Sequence, residues 1–174
     1  MENAISPQEL TIAPLNKGLD LSSFDCADSD LNDFLKKDAL AHEEKNIVKT
    51  YVCLYRNNPI GFFSVCMDAI KLSSTEREEE FGKPKQYPDY PAIKIARLAV
   101  SKNVQNRGIG TFMVKIVIGK AIEISKSIGC RFVTVDAYPK QAGFYARLDF
   151  ITNTHDKSGD NVSMRYDLQQ ATAV

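Results

Sequence analysis

Short apolar runs alternate with amphipathic stretches along this chain, and the pattern predicts both strands and helices. Residues 10–15 form a short apolar run that predicts a first strand. Between residues 30 and 44, apolar residues recur at the three- to four-residue spacing of one helix face, at Leu31, Phe34, Leu35 and Ala39. Asp and Ser residues just before them are good helix N-caps. We therefore expect a helix over residues 30–44.

The next part of the chain has the pattern of a β-hairpin. Residues 50–55 are rich in the β-branched and aromatic side chains that strands favour. Residues 56–59 read Arg-Asn-Asn-Pro, which is a turn signal, and residues 60–69 return as a second apolar run. Two such runs joined by a short turn predict an antiparallel hairpin.

The segment 71–91 breaks this regular pattern. A cluster of glutamates comes first, followed by Gly82 and three prolines, Pro84, Pro88 and Pro91. This composition predicts a short helix followed by a proline-rich loop. A long loop in a compact domain is often functional, although a solvated excursion fits the composition equally well.

Strands and helices alternate in the second half of the chain. The predicted elements are a strand over 92–100, a helix over 109–128 ending at Gly129, a strand over 130–137, a helix over 140–148 and a strand over 162–168. A strand-helix-strand unit implies a parallel pair, whereas the hairpin implies antiparallel pairing. The expected fold is therefore α/β with a mixed sheet (α+β), in the order β-α-β-β-loop-β-α-β-α-β.

Size and charge are those of an ordinary globular domain. The chain has 174 residues, 44% of them hydrophobic, which is enough to bury a core without metal or disulfide cross-links. We expect one domain over residues 1–174. The net charge is zero, so no global basic field attracts nucleic acid or an anionic membrane.

Cysteine and histidine usage argues against a metal site. The four cysteines are scattered without a CxxC pair, and the two histidines are far apart in sequence. We expect reduced thiols and no bound metal. The N-terminus lacks a signal-peptide pattern, and no apolar run approaches the roughly 20 residues that span a bilayer. These features predict a cytoplasmic protein without a membrane segment.

The segment Gln105-Asn106-Arg107-Gly108-Ile109-Gly110 lies where a predicted strand passes into the best predicted helix. The first amides of a helix have no partner inside it, and the helix dipole favours an anion there. Glycine removes the side chain that would block a phosphate. Lys102 and Arg107 add positive charge nearby. The segment therefore has the outline of a phosphate-binding loop.

Two common nucleotide-binding motifs do not fit this loop. A Walker loop ends in Gly-Lys-Ser/Thr, but Gly110 is followed directly by Thr111. A dinucleotide fingerprint has a third glycine where this chain has Met113. A tight strand-to-helix turn without any ligand remains open at this point.

The loop resembles the acetyl-CoA loop, Gln/Arg-x-x-Gly-x-Gly/Ala, of the GNAT N-acetyltransferases. Ala96–Val100 before it and Gly143-Phe144-Tyr145 after it are similar to that family too. The resemblance implies a mixed sheet that splays at the acetyl-CoA site, with acetyl-CoA as co-substrate. One departure is Asp149-Phe150, where the family has Gly-Phe; Asp tolerates the left-handed conformation. The cofactor-binding residues that the resemblance implies are Leu98, Val100, Gln105, Asn106, Arg107, Gly108, Gly110, Thr111 and Phe144.

A narrower resemblance extends toward the N-terminus. Phe24-Asp25-Cys26, Leu31-Asn32-Asp33-Phe34-Leu35 and Thr50-Tyr51-Val52 resemble the GNAT subgroup that contains toxins of toxin–antitoxin pairs. Those toxins acetylate the amino group of aminoacyl-tRNA, so the resemblance makes tRNA and an antitoxin candidate partners. Zero net charge counts against a large tRNA interface, because phosphate contacts need clustered Lys and Arg.

The resemblance also implies catalytic roles. Tyr145 is the candidate acid that protonates the leaving thiolate, with core packing as the alternative, and the Val100 amide is the candidate oxyanion donor. Asp136 is either a base or a structural group. Arg97 either meets an anionic acceptor or pairs with the acidic loop. The lysines of residues 36–49 form a loose basic stretch, which is usually a solvated face.

The sequence thus predicts an acetyl-CoA-dependent N-acetyltransferase that acts on a primary amine by direct attack on the thioester. Two alternatives stay open, namely a toxin that acetylates aminoacyl-tRNA and a non-catalytic module that binds CoA or a protein. The sequence leaves open the acceptor, the general base and whether the protein forms a homodimer.

Overall fold

The computed structural model describes residues 4–82, 87, 89–155 and 159–172. The strands are β1 (Leu10–Pro14), β2 (Lys49–Tyr55), β3 (Asn58–Ile70), β4 (Tyr90–Val100), β5 (Phe132–Ala137), β6 (Ile151–Thr152) and β7 (Val162–Asp167). The α-helices are α1 (Ser29–Asp33), α2 (Ala39–Glu44), α3 (Ser74–Phe81), α4 (Ile109–Ser125), α5 (Ala142–Ala146) and α6 (Leu168–Thr172). The strands form one sheet in the order β1-β2-β3-β4-β5-β7-β6. The predicted mixed sheet and order of elements are confirmed, while β6 and α6 were not predicted.

The helix predicted over residues 30–44 is present, but its middle turn is π-helical. Helix α1 passes through a π-helical segment, Phe34–Asp38, into α2. Asp28 caps its start, because one carboxylate oxygen accepts hydrogen bonds from the amides of Asp30 and Leu31, both at 3.1 Å. Asp residues before the apolar pattern were therefore a correct start signal.

The predicted hairpin is confirmed, and its turn explains the sequence between the strands. Arg56 and Asn57 have φ angles of 49° and 65°. Two left-handed residues in succession are typical of a two-residue turn whose twist matches that of the flanking strands. In the paired strands, the hydroxyls of Thr50 and Ser64 share a buried hydrogen bond of 2.8 Å.

Strands β4 and β5 form the parallel pair that the strand-helix alternation predicts. Their register runs from Ala92 opposite Phe132 to Ile95 opposite Val135. Strand β4 then continues to Val100, five residues past the last of these pairs. The parallel pairing therefore ends before β4 does, at the place where the resemblance implied a splay.

By its internal contacts the chain divides into two compact units. The first comprises Met1–Cys66 and Ala96–Val117. Its core surrounds Phe24, Phe34 and Phe62. In this unit a Cβ on Gly61 would lie 2.9 Å from the Met113 side chain, so glycine is what lets α4 approach β3 closely.

The second unit comprises Met67–Ile95 and Ile118–Val174. Its hydrophobic core contains Ile70, Leu72, Tyr90, Ala92 and Phe132. The ring of Phe81, on α3, stacks on that of Tyr90 with 4.6 Å between the centroids. The core thus joins α3 to strands β3, β4 and β5.

Several predicted boundaries are displaced by two or more residues, because β3 begins at Asn58, β5 at Phe132 and α5 covers only Ala142–Ala146. Helix α4 ends at Ser125 rather than at Gly129, and Ile128, which was assigned to its apolar face, is 61% exposed. The hydroxyls of Ser125 and Ser127 donate to carbonyls of the last helical turn, which ends the helix early. Strand β4 begins before Pro91, which had been assigned to the loop.

The short helix predicted in the segment 71–91 is confirmed as α3. The proline-rich loop is only partly covered, because Pro84 and Pro88 lie outside the described residues. The acidic run is not simply a solvated loop. Glu76 is 6% exposed and forms a capping box with Ser73 at the start of α3.

A buried ion cluster attaches α3 to β7. The Arg165 guanidinium, 3% exposed, donates to Glu76 at 2.9 Å and to Glu80 at 3.2 Å. It also donates to the Asn153 side chain at 2.8 Å. Burial alone would raise the pKa of Glu76, but hydrogen bonds from Thr154 and Ser73 outweigh it and lower this pKa to about 2.

Replacing Glu76 by Gln should destabilise the protein in a pH-dependent way. Because folding lowers the Glu76 pKa from 4.5 to about 2, the charged group contributes about 3 kcal/mol above pH 4.5. That contribution disappears as the pH falls from 4.5 toward 2. Urea unfolding of wild type and Glu76→Gln should therefore differ by about 3 kcal/mol at pH 7 and converge in acid.

The matched control is Glu78→Gln, since Glu78 is exposed on the same helix. It should change the free energy of unfolding by less than about 0.5 kcal/mol. Equal effects of the two substitutions, or a Glu76→Gln deficit that does not change with pH, would contradict the cluster's role.

Candidate active site

The loop between β4 and α4 contains a 3-10 turn and two residues in the left-handed conformation. A 3-10 turn, Lys102–Val104, follows the strand, and Asn106 and Gly108 have φ angles of 60° and 86°. The first helical hydrogen bond runs from the Phe112 amide to the Gly108 carbonyl at 3.0 Å. The amides of residues 109–111 therefore have no acceptor inside the helix.

Space is left open beside the Gly108 main chain. No atom lies within 4 Å of the position that a Cβ on Gly108 would occupy. Gln105, Asn106 and Gly108 are exposed, and Gly110 and Thr111 are partly exposed. Free amides, the positive end of a helix dipole and this open space together fit an anion such as a pyrophosphate.

The last residues of β4 alternate in burial. Ala99 is 6% exposed and belongs to the core of the first unit, while Leu98 and Val100 are half-buried. The Gln105 side-chain amide donates to the Val100 carbonyl at 3.1 Å. Gln105 thus folds back onto the strand and shapes the loop through its side chain.

Of the two cations expected beside the loop, Lys102 already has an anionic partner. Its ammonium group lies 2.7 Å from the Asp25 carboxylate, in an ion pair whose side chains are 52% and 42% exposed. Arg107 is half-buried, and its carbonyl accepts a hydrogen bond from the Ile5 amide at 3.3 Å. Lys102 thus lies beside an acidic partner that the sequence did not indicate, and its contribution of positive charge to the loop stays a prediction.

Tyr145 lies on α5 in the second unit and is 6% exposed. Its ring makes edge contacts with those of Phe144 and Phe150 at centroid distances of 4.9 and 5.4 Å. Within the described residues, its hydroxyl has no hydrogen-bond partner. Buried tyrosine hydroxyls usually find one, so this hydroxyl is available to a ligand. Burial raises the pKa of Tyr145, which keeps the hydroxyl protonated at neutral pH.

Asp136 does not stand alone on β5. Its carboxylate forms an ion pair with the Lys94 ammonium group on β4. Thr134 also lies on β5, next to Val135, where the pairing with β4 ends. Its hydroxyl donates to the Asp68 carboxylate at 2.6 Å. Sequence reasoning missed Lys94 and Asp68 as partners. The available signal was a charged residue within an otherwise apolar strand.

The other polar residues singled out in the first unit have structural partners. The Arg97 guanidinium lies 3.8 Å from the centroid of the Phe34 ring, a cation–π contact that matches neither expected role. In the basic stretch, Lys37 pairs with Asp33 at 2.8 Å and Lys49 with Glu43 at 3.6 Å.

The acetyltransferase (GNAT) domain family matches residues 46–152 of the chain. The chain belongs to this GNAT acetyltransferase family. The match takes in the end of β4, the loop, α4 and Tyr145. The protein is thus an N-acetyltransferase, and acetyl-CoA is its acetyl donor.

One curated relative is a tRNA-acetylating toxin of Mycobacterium tuberculosis. It is 28% identical over 132 residues, which cover 75% of this chain and 78% of the relative. A tyrosine-to-phenylalanine mutant of KacT has the same fold, with a TM-score of 0.83 at 24% identity over 95% of this chain and 99% of KacT. AtaT complexed with acetyl-methionyl-tRNAfMet gives a TM-score of 0.82 at 22% identity, over 94% and 98% of the two chains.

The one visible departure from the GNAT pattern is accommodated as expected. Asp149, which replaces the usual glycine before Phe150, has a φ angle of 64°. Asp is one of the residues that tolerate this left-handed conformation. Phe150 is 2% exposed and packs on Tyr166 as well as on Tyr145.

Metal and membrane features are absent from the part of the chain that the structure describes. No group of three or more His, Cys, Asp or Glu side chains there could hold a metal ion. The four cysteines, Cys26, Cys53, Cys66 and Cys130, are free thiols. No helix among these residues is long and apolar enough to span a membrane.

Substituting Gly108 should weaken acetyl-CoA binding in addition to straining the loop. Gly108→Ala forces a side chain into a left-handed conformation, which costs about 1–2 kcal/mol, and fills the open space beside the loop amides. We expect the KM for acetyl-CoA to rise about tenfold, which corresponds to about 1.4 kcal/mol. Steady-state kinetics at saturating acceptor measures this change.

Gly119→Ala on the exposed side of α4 is the matched control, because no atom lies within 4 Å of its added Cβ. It should raise helix stability by up to about 1 kcal/mol and leave the KM unchanged. An unaltered KM in Gly108→Ala would contradict the assignment of the loop.

Proposed function

We propose that the protein transfers the acetyl group of acetyl-CoA to the α-amino group of an aminoacyl-tRNA, and that it acts as the toxin of a toxin–antitoxin pair. The use of acetyl-CoA as the donor is supported by the loop around Gly108, whose free amides and open space suit a pyrophosphate. The choice of aminoacyl-tRNA as the acceptor is supported by the curated relative, which is a tRNA-acetylating toxin.

Exposed lysines of the first unit support a nucleic-acid acceptor in spite of the zero net charge. Lys17, Lys37 and Lys49 pair with carboxylates, yet their side chains are 81%, 66% and 52% exposed. Exposed ion pairs of this kind contribute only about 0–1 kcal/mol. These lysines can therefore exchange a carboxylate for an RNA phosphate at little cost.

An α-amino acceptor also suits a site without an evident strong base. The α-amino group has a pKa of about 8, whereas that of lysine is about 10.4. Near pH 7.4 about a fifth of an α-amino acceptor is therefore neutral and nucleophilic, against about a thousandth of a lysine side chain. Asp136, held by Lys94, then needs to act only as a contact for the acceptor amine.

The proposed reaction follows from these groups. The neutral amine attacks the thioester carbonyl carbon, and the Val100 amide stabilises the developing oxyanion. The carbon–sulfur bond breaks, and the leaving thiolate takes the proton of the Tyr145 hydroxyl. The acceptor nitrogen loses a proton to water, and water returns a proton to the tyrosinate, so that the neutral tyrosine is restored. Phe144 contributes to the proposed CoA site by packing on Tyr145.

We further propose that the two compact units work as one catalytic domain spanning residues 1–174. The family match, residues 46–152, includes parts of both. We place the activity in the cytoplasm, since aminoacyl-tRNA and acetyl-CoA are both cytoplasmic compounds. An antitoxin is the proposed protein partner.

Removing the Tyr145 hydroxyl should slow the chemical step without loss of fold. A positioned acid contributes about 10²–10⁴-fold, so Tyr145→Phe should lower kcat by at least about 10² while the KM for acetyl-CoA stays the same. Tyr166→Phe is the matched control, because Tyr166 belongs to the same cluster of rings. Unchanged turnover in Tyr145→Phe, or equal losses in both variants, would refute the acid role.

The acceptor is tested by supplying acetyl-labelled acetyl-CoA with charged tRNA, the same tRNA after deacylation, and free amines and peptides. We expect label in charged tRNA only, released as an N-acetyl amino acid when the ester bond is hydrolysed. Label confined to protein or free amines would overturn the proposed acceptor. Binding of acetyl-CoA without transfer to any of these acceptors would instead favour a non-catalytic module.

A further inference from the structure

A hydrogen-bonded cluster joins the N-terminal segment 24–32 to the residues that directly follow β4. It contains Asp25 and Asn32, both from the motifs that resemble the toxin subgroup, and Ser101 and Lys102 at the start of the loop. All of these residues belong to the first compact unit. Neither the donor site nor the acceptor proposed above accounts for the cluster.

The Asp25 carboxylate is fully engaged. It accepts hydrogen bonds from the Lys102 ammonium group at 2.7 Å, from the Asn32 side chain at 2.9 Å and from the Ala27 amide at 2.9 Å. Asn32 is itself oriented, because its side-chain oxygen accepts from the Cys26 amide at 3.0 Å. The bond from Lys102, followed by those from Ala27 and Asn32, holds the pKa of Asp25 well below its usual range.

The main chain of Asp25 holds the same two residues. Its carbonyl accepts from the Lys102 amide at 2.8 Å and from the Ser101 hydroxyl at 3.2 Å. The Ser101 amide donates in turn to the Ile60 carbonyl on β3 at 2.8 Å. Ser101 is 7% exposed, so this junction is shielded from water that could replace the bonds.

These bonds fix the first residues of the loop, which set the path of its main chain. Ser101 and Lys102 are the first residues after β4, and the next side-chain bond back to the strand comes from Gln105. Left-handed φ angles at Asn106 and Gly108 then complete the path to the first amides of α4. An anion site made of main-chain amides depends on that path, because its donors cannot reorient as side chains do.

We propose that Asp25 is a positioning residue for acetyl-CoA binding, which holds Ser101 and Lys102 so that the loop presents its amides to the pyrophosphate. This inference rests on the proposed assignment of the loop around Gly108. Lys102 then forms a clamp with Asp25, that is, an ion pair that fixes the start of the loop, and it does not bind the phosphate itself. The subgroup motifs around Asp25 and Asn32 thus support the donor site from a distant part of the chain.

Two substitutions separate a clamp from a phosphate ligand. If Lys102 bound phosphate, Asp25→Asn would free its charge and tighten acetyl-CoA binding, while Lys102→Gln would weaken it. If the pair is a clamp, both substitutions weaken binding. Lys102 is an exposed lysine with a 52% exposed side chain, so Lys102→Gln will not prevent folding.

The experiment measures the Kd of acetyl-CoA by calorimetry, and KM and kcat in the tRNA assay, for wild type, both single variants and the double variant. We expect each single variant to raise Kd and KM about fivefold with kcat within about twofold, and the double variant to be no weaker than either. The exposed pair Glu123–Lys126 provides the control, and Lys126→Gln should leave all three quantities unchanged.

Each contrary outcome is informative. A lower Kd in Asp25→Asn would overturn the clamp in favour of a phosphate-binding Lys102. A lower unfolding temperature and kcat with unchanged KM would reduce the cluster to a purely structural role and overturn the proposal. Wild-type protein that does not bind acetyl-CoA would overturn the loop assignment itself, whereas normal wild-type binding with unaffected variants would overturn only the role of Asp25.

Discussion

The parallel pairing between β4 and β5 ends at Ile95 and Val135, and the proposed donor site relies on that early end. Backbone groups of a strand need hydrogen-bond partners, so a strand that outruns its neighbour offers an edge to another extended molecule. Strand β4 continues to Val100 in this way and then turns into α4. The extended pantetheine arm and the pyrophosphate of acetyl-CoA match that edge and the following helix start.

Binding and chemistry place opposite demands on the surrounding residues. The loop must stay open to solvent so that an anion can reach its amides, and Gly108 meets this need by leaving space where a side chain would lie. The proposed acid, Tyr145, is instead buried among aromatic rings. A tyrosine is protonated at neutral pH in any case, and burial raises the pKa of Tyr145 further, so this hydroxyl can act only as a donor there.

Sequence periodicity predicted most of the fold because its signals are local. Alternating apolar runs placed the hairpin and β4, and glycines at a strand-to-helix junction marked the loop that is proposed to bind the donor. What it missed depends on contacts between distant residues. Ser101 and Asp25 are 76 positions apart, and Arg165 and Glu76 are 89 apart, so no spacing rule reveals them. The ion pair between Lys102 and Asp25 was missed for this reason, since its two members are far apart in the chain.

The central claim is that main-chain amides from Leu98 to Thr111 hold acetyl-CoA. Titration of isotope-labelled protein with acetyl-CoA, followed by amide NMR, tests it residue by residue. The account predicts that the largest saturable shifts occur at residues 98–111, with amides of residues 108–111 moving most and those at the end of β4 next. Saturable binding that leaves these amides unmoved and shifts others instead would contradict it.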